Sequence, residues 1–221
     1  MLKILTKLFT LLIMFILSIS TISAMEKSIT LGMQLEPPNL NPTSGAAAAI
    51  DEIVYANVFE GLTRFKSDGS VAPALAKSWT ISPDNLTYTF ELNENVTFHD
   101  GSPMTAKDVK FSLERARSDE STNAQKALFK DIESIEIADK LTVAVKLKVQ
   151  NGSFISNMAW GDAIIVSEET ISKAETAPIG TGPFKFSKWI KGDRVELVRN
   201  NSYWGKPISL DRAVFKFISD P

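Results

Sequence analysis

Residues Ala76–Ala116 read AKSWTISPDNLTYTFELNENVTFHDGSPMTAKDVKFSLERA, two strand signals and two turn signals followed by a capped helix. Tyr88, Phe90 and Leu92 alternate with Thr87, Thr89 and Glu91, the period-two pattern of a half-buried strand. Asn93–Asn95 is a turn, Val96 and Phe98 mark a second short strand, and His99-Asp100-Gly101 is a tight turn in which Gly101 can take positive φ. Pro103 bars further strand pairing. Thr105 is placed as an N-cap with Asp108 at N3, an Asp variant of the capping box, and Val109, Leu113 and Ala116 fall on one buried helix face.

The order W-x-I-S-x-D-x-x-T-Y-x-F-x-L over residues 79–92, then V-x-F-H-D-G-x-P-x-T-A-x-D-V over 96–109, resembles the extracellular solute-binding proteins of family 5, the oligopeptide, dipeptide and nickel receptors of ABC importers. VFEGLTRF at 58–65 and APALAKSW at 72–79 agree upstream, and IGTGPFKFSKW at 179–189 and NNSYW at 200–204 agree downstream. The resemblance implies a mixed α/β (α+β) fold of the periplasmic binding protein type II kind: two lobes that close about a hinge, with a small domain inserted in the first lobe. Residues 25–60 and 178–221 are then expected in the first lobe and residues 61–177 in the inserted domain. On the same likeness the second lobe, which supplies the side chains that grip a peptide's termini, is expected to be missing, leaving an N-terminal portion.

At the start of the chain, Lys3 and Lys7 precede an apolar run from Leu8 to Ile19, and small or polar residues lead to Ser23-Ala24, the three parts of a secretory signal cleaved after Ala24. An uncleaved anchor is the alternative, but a run of about 12 residues is short of the ~20 that span a bilayer. With no cysteine there is neither a disulfide framework nor a thiol for lipidation, so a freely diffusing periplasmic protein is expected. Cleavage removes two lysines and no acid, which takes the formal charge from −2 to −4. That balance, with no basic stripe interleaved with aromatics, excludes nucleic acid as the expected partner.

Along the mature chain, Ser28–Leu35 reads as a strand that the prolines at 37, 38 and 42 terminate. By resemblance its end lies in the ligand cleft, so backbone groups of Gln34, Leu35 and Glu36 are expected to pair with an extended peptide as an added strand. Glu36 as a solvated residue before a turn is the competing reading. Residues 46–60 read as an amphipathic helix with solvated acids and Gly61 as its C-cap; 62–65 is a strand. A helical stretch at 124–130 follows, then a hairpin with Ile132, Ile135 and Ile137 on one strand and Leu141, Val143, Val145, Leu147 and Val149 inward on the other. Segments 154–160 and 168–173 read as short helices, 163–166, 184–190 and 194–200 as strands.

Catalytic chemistry has little to stand on. His99 is the single histidine and reads as a turn residue; Glu168-Glu169 reads as a solvated pair; the four tryptophans read as core. Gly180-Thr181-Gly182 opens a strand and lacks the Lys-Ser/Thr of a phosphate loop. No enzyme activity, cofactor or metal is expected. The expected partners are a peptide or other small solute and an inner-membrane ABC permease, with the chain a monomer. In the nickel receptors an aromatic residue faces the cleft where Gln125 stands here, which places Gln125 at the ligand and disfavours a metal chelate. Nickel or another small solute remains the alternative cargo, and a secreted chaperone-like scaffold the alternative role.

Overall fold

The computed structural model describes residues 26–218, so the signal reading of residues 1–24 lies outside the described residues. Two four-stranded sheets, each with its own core, meet where the 178–183 crossing passes the turn at 56–59. One sheet has the order β1 (Ser28–Met33), β10 (Arg212–Phe217), β9 (Arg194–Arg199), β8 (Phe184–Ile190). β1 and β10 run parallel and the other pairs antiparallel, so the long intervening chain is the connection that a parallel pair requires. Helix α1 (Ala48–Val54) covers this sheet with Ile50, Ile53 and Val54.

The second sheet has the order β4 (Ala76–Ile81), β5 (Thr87–Leu92), β7 (Thr142–Leu147), β6 (Ile132–Asp139), and a two-stranded ribbon of β2 (Thr63–Phe65) and β3 (Val71–Pro73) precedes it. The alternation in β5 sets the register: Tyr88 faces Val145 and Phe90 faces Val143, all four buried. Burying each such side chain contributes roughly 1.5–3 kcal/mol. Helix α2 (Ala106–Arg117) packs on this core with Val109, Leu113 and Ala116, as its spacing predicts. Its capping box is formed: the Thr105 N–H donates to Asp108 Oδ2 at 2.8 Å and the Thr105 hydroxyl receives a helix N–H. Asp108 in the first turn and Arg115 and Arg117 in the last oppose the helix dipole.

Several expectations are corrected. The helix expected over 46–60 is only α1, because Tyr55 turns extended and Ala56 takes φ 57°, folding the chain back so that the Val58 and Phe59 amides both donate to the Val54 carbonyl. Gly61 therefore caps nothing; it approaches the Met158 carbonyl so closely that a Cβ would lie 2.7 Å from the oxygen. Val96 and Phe98 are buried without forming a strand, since only Thr97 and Pro103 bridge. Val149, expected inward, is exposed because it lies past the end of β7.

The segment 163–166 is buried but makes one bridge instead of a strand, and 126–129 and 171–173 are 3₁₀ turns. Helix α3 is limited to Phe154–Asn157, and Trp160 just beyond it is 49 % exposed, edge-on to Phe65.

His99 ties the two sheets together. Its N–H donates to the Gly180 carbonyl at 2.9 Å, its Nε2 lies 3.0 Å from the Gly182 carbonyl, and its Nδ1 accepts from the Gly180 amide at 3.3 Å. That set requires a neutral ring protonated at Nε2. Burial depresses its pKa to about 4, outweighing the Gly182 bond. A base whose folded pKa is depressed contributes stability above its unfolded pKa, and that contribution is lost as pH falls from about 6.5 to about 4. The full loss is about 3 kcal/mol. Urea unfolding across this window is expected to show a steeper acid-side fall for the native chain than for His99→Gln; parallel curves would refute the tie.

Candidate functional site

The open face of α1 organises the candidate site. Ile50, Ile53 and Val54 turn to the core, so helical spacing leaves Ala48, Asp51, Glu52 and Tyr55 on the opposite arc. Against one flank of this arc lies the end of β1. Gly32–Glu36, Ala47–Ala49 and Glu52 enclose a groove of about 410 Å³, which brings together three of the four residues expected from sequence, Gln34, Leu35 and Glu36. Among the described residues, no backbone hydrogen bond engages the N–H or C=O groups of 34–36, because Pro37 and Pro38 turn the chain away and β10's last contact is the Ile218 amide on the Met33 carbonyl. Leu35 stands 71 % exposed at the rim.

Glu36 is not simply solvated. Its carboxylate accepts from Trp189 Nε1 at 2.8 Å and from the Gly192 amide at 3.0 Å, so the side chain is committed to the β8–β9 turn. Gln125 is not brought to this groove. It is exposed on the other flank of α1, its amide donating to Asn123 Oδ1, beside the turn Gly161–Ala163.

On that flank Asp51 and Asp162 lie together. Asn123 Nδ2 donates to the Asp162 carbonyl at 2.8 Å and fixes the turn, and Gly161 lets it press on α1: a Cβ there would lie 2.5 Å from Asp51 Oδ1. Burial pushes the Asp162 carboxyl up to about 6, and the neighbouring Asp51 charge adds to the rise; burial also raises Asp51. These acids were missed in the sequence because an Asp among the alanines of a short helix has the pattern of a solvated residue.

A larger groove, about 540 Å³, lies between the sheets and is lined by Tyr55, Glu60, Arg64, Lys77, Tyr203 and Trp204 among others. Its central acid is fully engaged: Tyr203 Oη donates to Glu60 Oε1 at 2.8 Å, and Trp204 Nε1 and Thr181 Oγ1 donate to Oε2, each at 2.9 Å. Burial raises the Glu60 carboxyl while the three donors draw it back. This constellation holds the NNSYW segment and the crossing to the 56–60 turn, and its polar groups are spent on the fold. Among the described residues, no group of three or more His, Cys, Asp or Glu could hold a metal ion.

Residues 70–221 match the model of bacterial extracellular solute-binding proteins, family 5 (Middle), and the chain belongs to that family. It is similar to the glutathione-binding protein GsiB of Pectobacterium atrosepticum, 34 % identical over 71 % of this chain and 31 % of that one. Among solved structures it resembles NikZ from Campylobacter jejuni in complex with Ni(L-His), at 32 % identity and TM-score 0.78 over 86 % of this chain and 39 % of that one. It also resembles the periplasmic binding protein DppA from Helicobacter pylori in complex with the peptide STSA, at 28 % identity and TM-score 0.77 over 87 % and 43 %. The chain spans about a third of the length of the curated relatives it matches.

Proposed function

We propose that this chain is the capturing part of a periplasmic receptor that delivers peptides to an ABC permease, with no catalytic role, acting as a monomer after cleavage at Ala24. Residues 25–60 and 178–221 form its first lobe and 61–177 the inserted domain; each four-stranded sheet has its own core, although Ile164, Val166 and Ala174 of the inserted segment pack into the first sheet's core. The observation that carries the reading is that, among the described residues, no backbone hydrogen bond engages Gln34, Leu35 and Glu36 beside α1. An extended peptide laid there gains main-chain hydrogen bonds irrespective of its sequence.

Hydrogen exchange tests this directly. Saturating tri-alanine is expected to slow exchange at the amides of 34–36 at least about tenfold, as forming hydrogen bonds there requires. Unchanged exchange at these amides with tri-alanine bound would sink the added-strand reading. A nickel chelate is the second reading, favoured by the likeness to NikZ. Ni(L-His) in place of the peptide separates the two.

A further inference from the structure

We propose that the groove of about 540 Å³ between the two sheets is a second ligand site, which takes a small organic carboxylate by its charge at Arg64 and by its apolar body against the surrounding rings and prolines. It is separate from the peptide groove at the end of β1, with which it shares no lining residue. The first observation is a charge imbalance. The lining carries three cationic side chains, Arg64, Lys77 and Lys206, against one acid, Glu60. That acid does not pair with any of them, because both of its oxygens accept from neutral donors, Tyr203 Oη on one side and Trp204 Nε1 and Thr181 Oγ1 on the other. Arg64 is near enough for its charge to favour ionised Glu60, yet among the described residues no hydrogen bond or ion pair engages its guanidinium, and none engages the Lys206 ammonium. Lys77 has only a loose pair with Glu91 at 3.6 Å. The groove therefore keeps a positive surplus whether or not Glu60 is ionised.

The second observation is that the lining is fixed in advance. Tyr203 and Trp204 are both pinned by Glu60, with ring centroids 5.6 Å apart. Tyr55 is tied through its hydroxyl to the Ala159 carbonyl, and Ala56 beside it holds φ 57°, a left-handed backbone that costs an alanine energy and persists only where the surrounding fold imposes it. A site so pre-ordered gives up little entropy when a ligand enters. The third is the match of shape and chemistry. The volume falls within the range of small-molecule pockets, roughly 300–1,000 Å³. The planar guanidinium fork of Arg64 suits a carboxylate bidentately, while Lys77 and Lys206 add to the attracting field. Pro73, Pro183, Ile208 and the aromatic rings offer contact to an apolar body, which an inorganic anion would leave unused. A metal ion or a basic solute is repelled by the same surplus.

The test is a titration of the full chain, labelled with ¹⁵N, with 2-naphthoate and with 2-naphthamide, which share ring and size but differ in charge. 2-Naphthoate is expected to shift the Trp204 Nε1–H resonance and to bind about tenfold or more tightly than the amide, in the range of charge-assisted pairs. Arg64→Gln is expected to weaken naphthoate about tenfold, to the level of the amide, and Lys206→Gln about threefold, as a charge acting through solvent does. Urea midpoints of both variants are expected to match the native chain, since neither side chain is bonded to the fold. Saturating tri-alanine is expected to leave naphthoate binding unchanged. Equal affinity for carboxylate and amide, no binding of naphthoate, shifts confined to resonances outside the groove, or undiminished binding by Arg64→Gln would each overturn the site. Competition by tri-alanine would put naphthoate in the peptide groove and overturn it as well. Inorganic phosphate displacing naphthoate at equal concentration would show that charge alone is read and would overturn the organic acid.

Discussion

Gly180→Ala is expected to destabilise the chain by about 3 kcal/mol or more, at the upper end of overpacking substitutions. A Cβ at this position would lie 2.0 Å from the Val58 carbonyl oxygen and 2.7 Å from its carbon. Both are backbone atoms and neither can rotate away. The Val58 carbonyl is also fixed by the Gly182 amide at 2.9 Å, and Gly180 itself holds His99 through its own carbonyl and amide. Moving either strand aside therefore breaks the contact between the sheets. Gly182→Ala meets the same obstacle, with its Cβ 2.4 Å from the Asn57 carbonyl oxygen. Gly152→Ala is the control: no atom lies within 4 Å of its Cβ, and a change within about 0.5 kcal/mol is expected. Urea midpoints of the three variants decide it; a Gly180→Ala protein as stable as the control would mean that the crossing does not lie against the 56–59 turn.

Glu60→Ala is expected to cost about 3 kcal/mol, because truncation leaves three donors without their acceptor at roughly 1 kcal/mol or more each. Those donors are Tyr203 Oη, Trp204 Nε1 and Thr181 Oγ1, and Thr181 is completely buried. Water entering from the adjoining 540 Å³ groove can satisfy part of the deficit, which keeps the expected figure below the sum of full desolvation penalties. Glu60→Gln retains one acceptor oxygen and is expected to fall between the native chain and the alanine variant. Thermal unfolding followed by tryptophan fluorescence reads both stability and the Trp204 environment. A Glu60→Ala chain with native stability would show that the NNSYW segment is held by packing alone.

The legible parts of this fold are those governed by neighbours in sequence. The β5 alternation, the capped α2, the hairpin of β6 and β7 and the pair β8 and β9 depend on side-chain period and turn chemistry, and all are found. Strand β10 was not anticipated. Arg212–Phe217 has no flanking turn signature of its own and becomes a strand because β1 and β9 offer it an edge on each side. The end of α1 was misplaced for a related reason: Ala56 adopts a left-handed backbone that its residue type disfavours, held there by the 178–183 crossing packed against the turn.

The candidate site divides in the same way. Resemblance in the motifs pointed to the end of β1, and Pro37 and Pro38 told from sequence that the chain leaves the sheet there. That Glu36 is bound to Trp189 and Gly192, and that Asp51 meets Asp162 across Gly161, involves residues more than a hundred positions apart. Local period and propensity carry no term for such distances. The sequence by itself determined the family, the strand and helix periods and the place where the first strand ends. Only the tertiary structure decided which carboxylates are spent on the fold, because burial and pairing are properties of the packed chain.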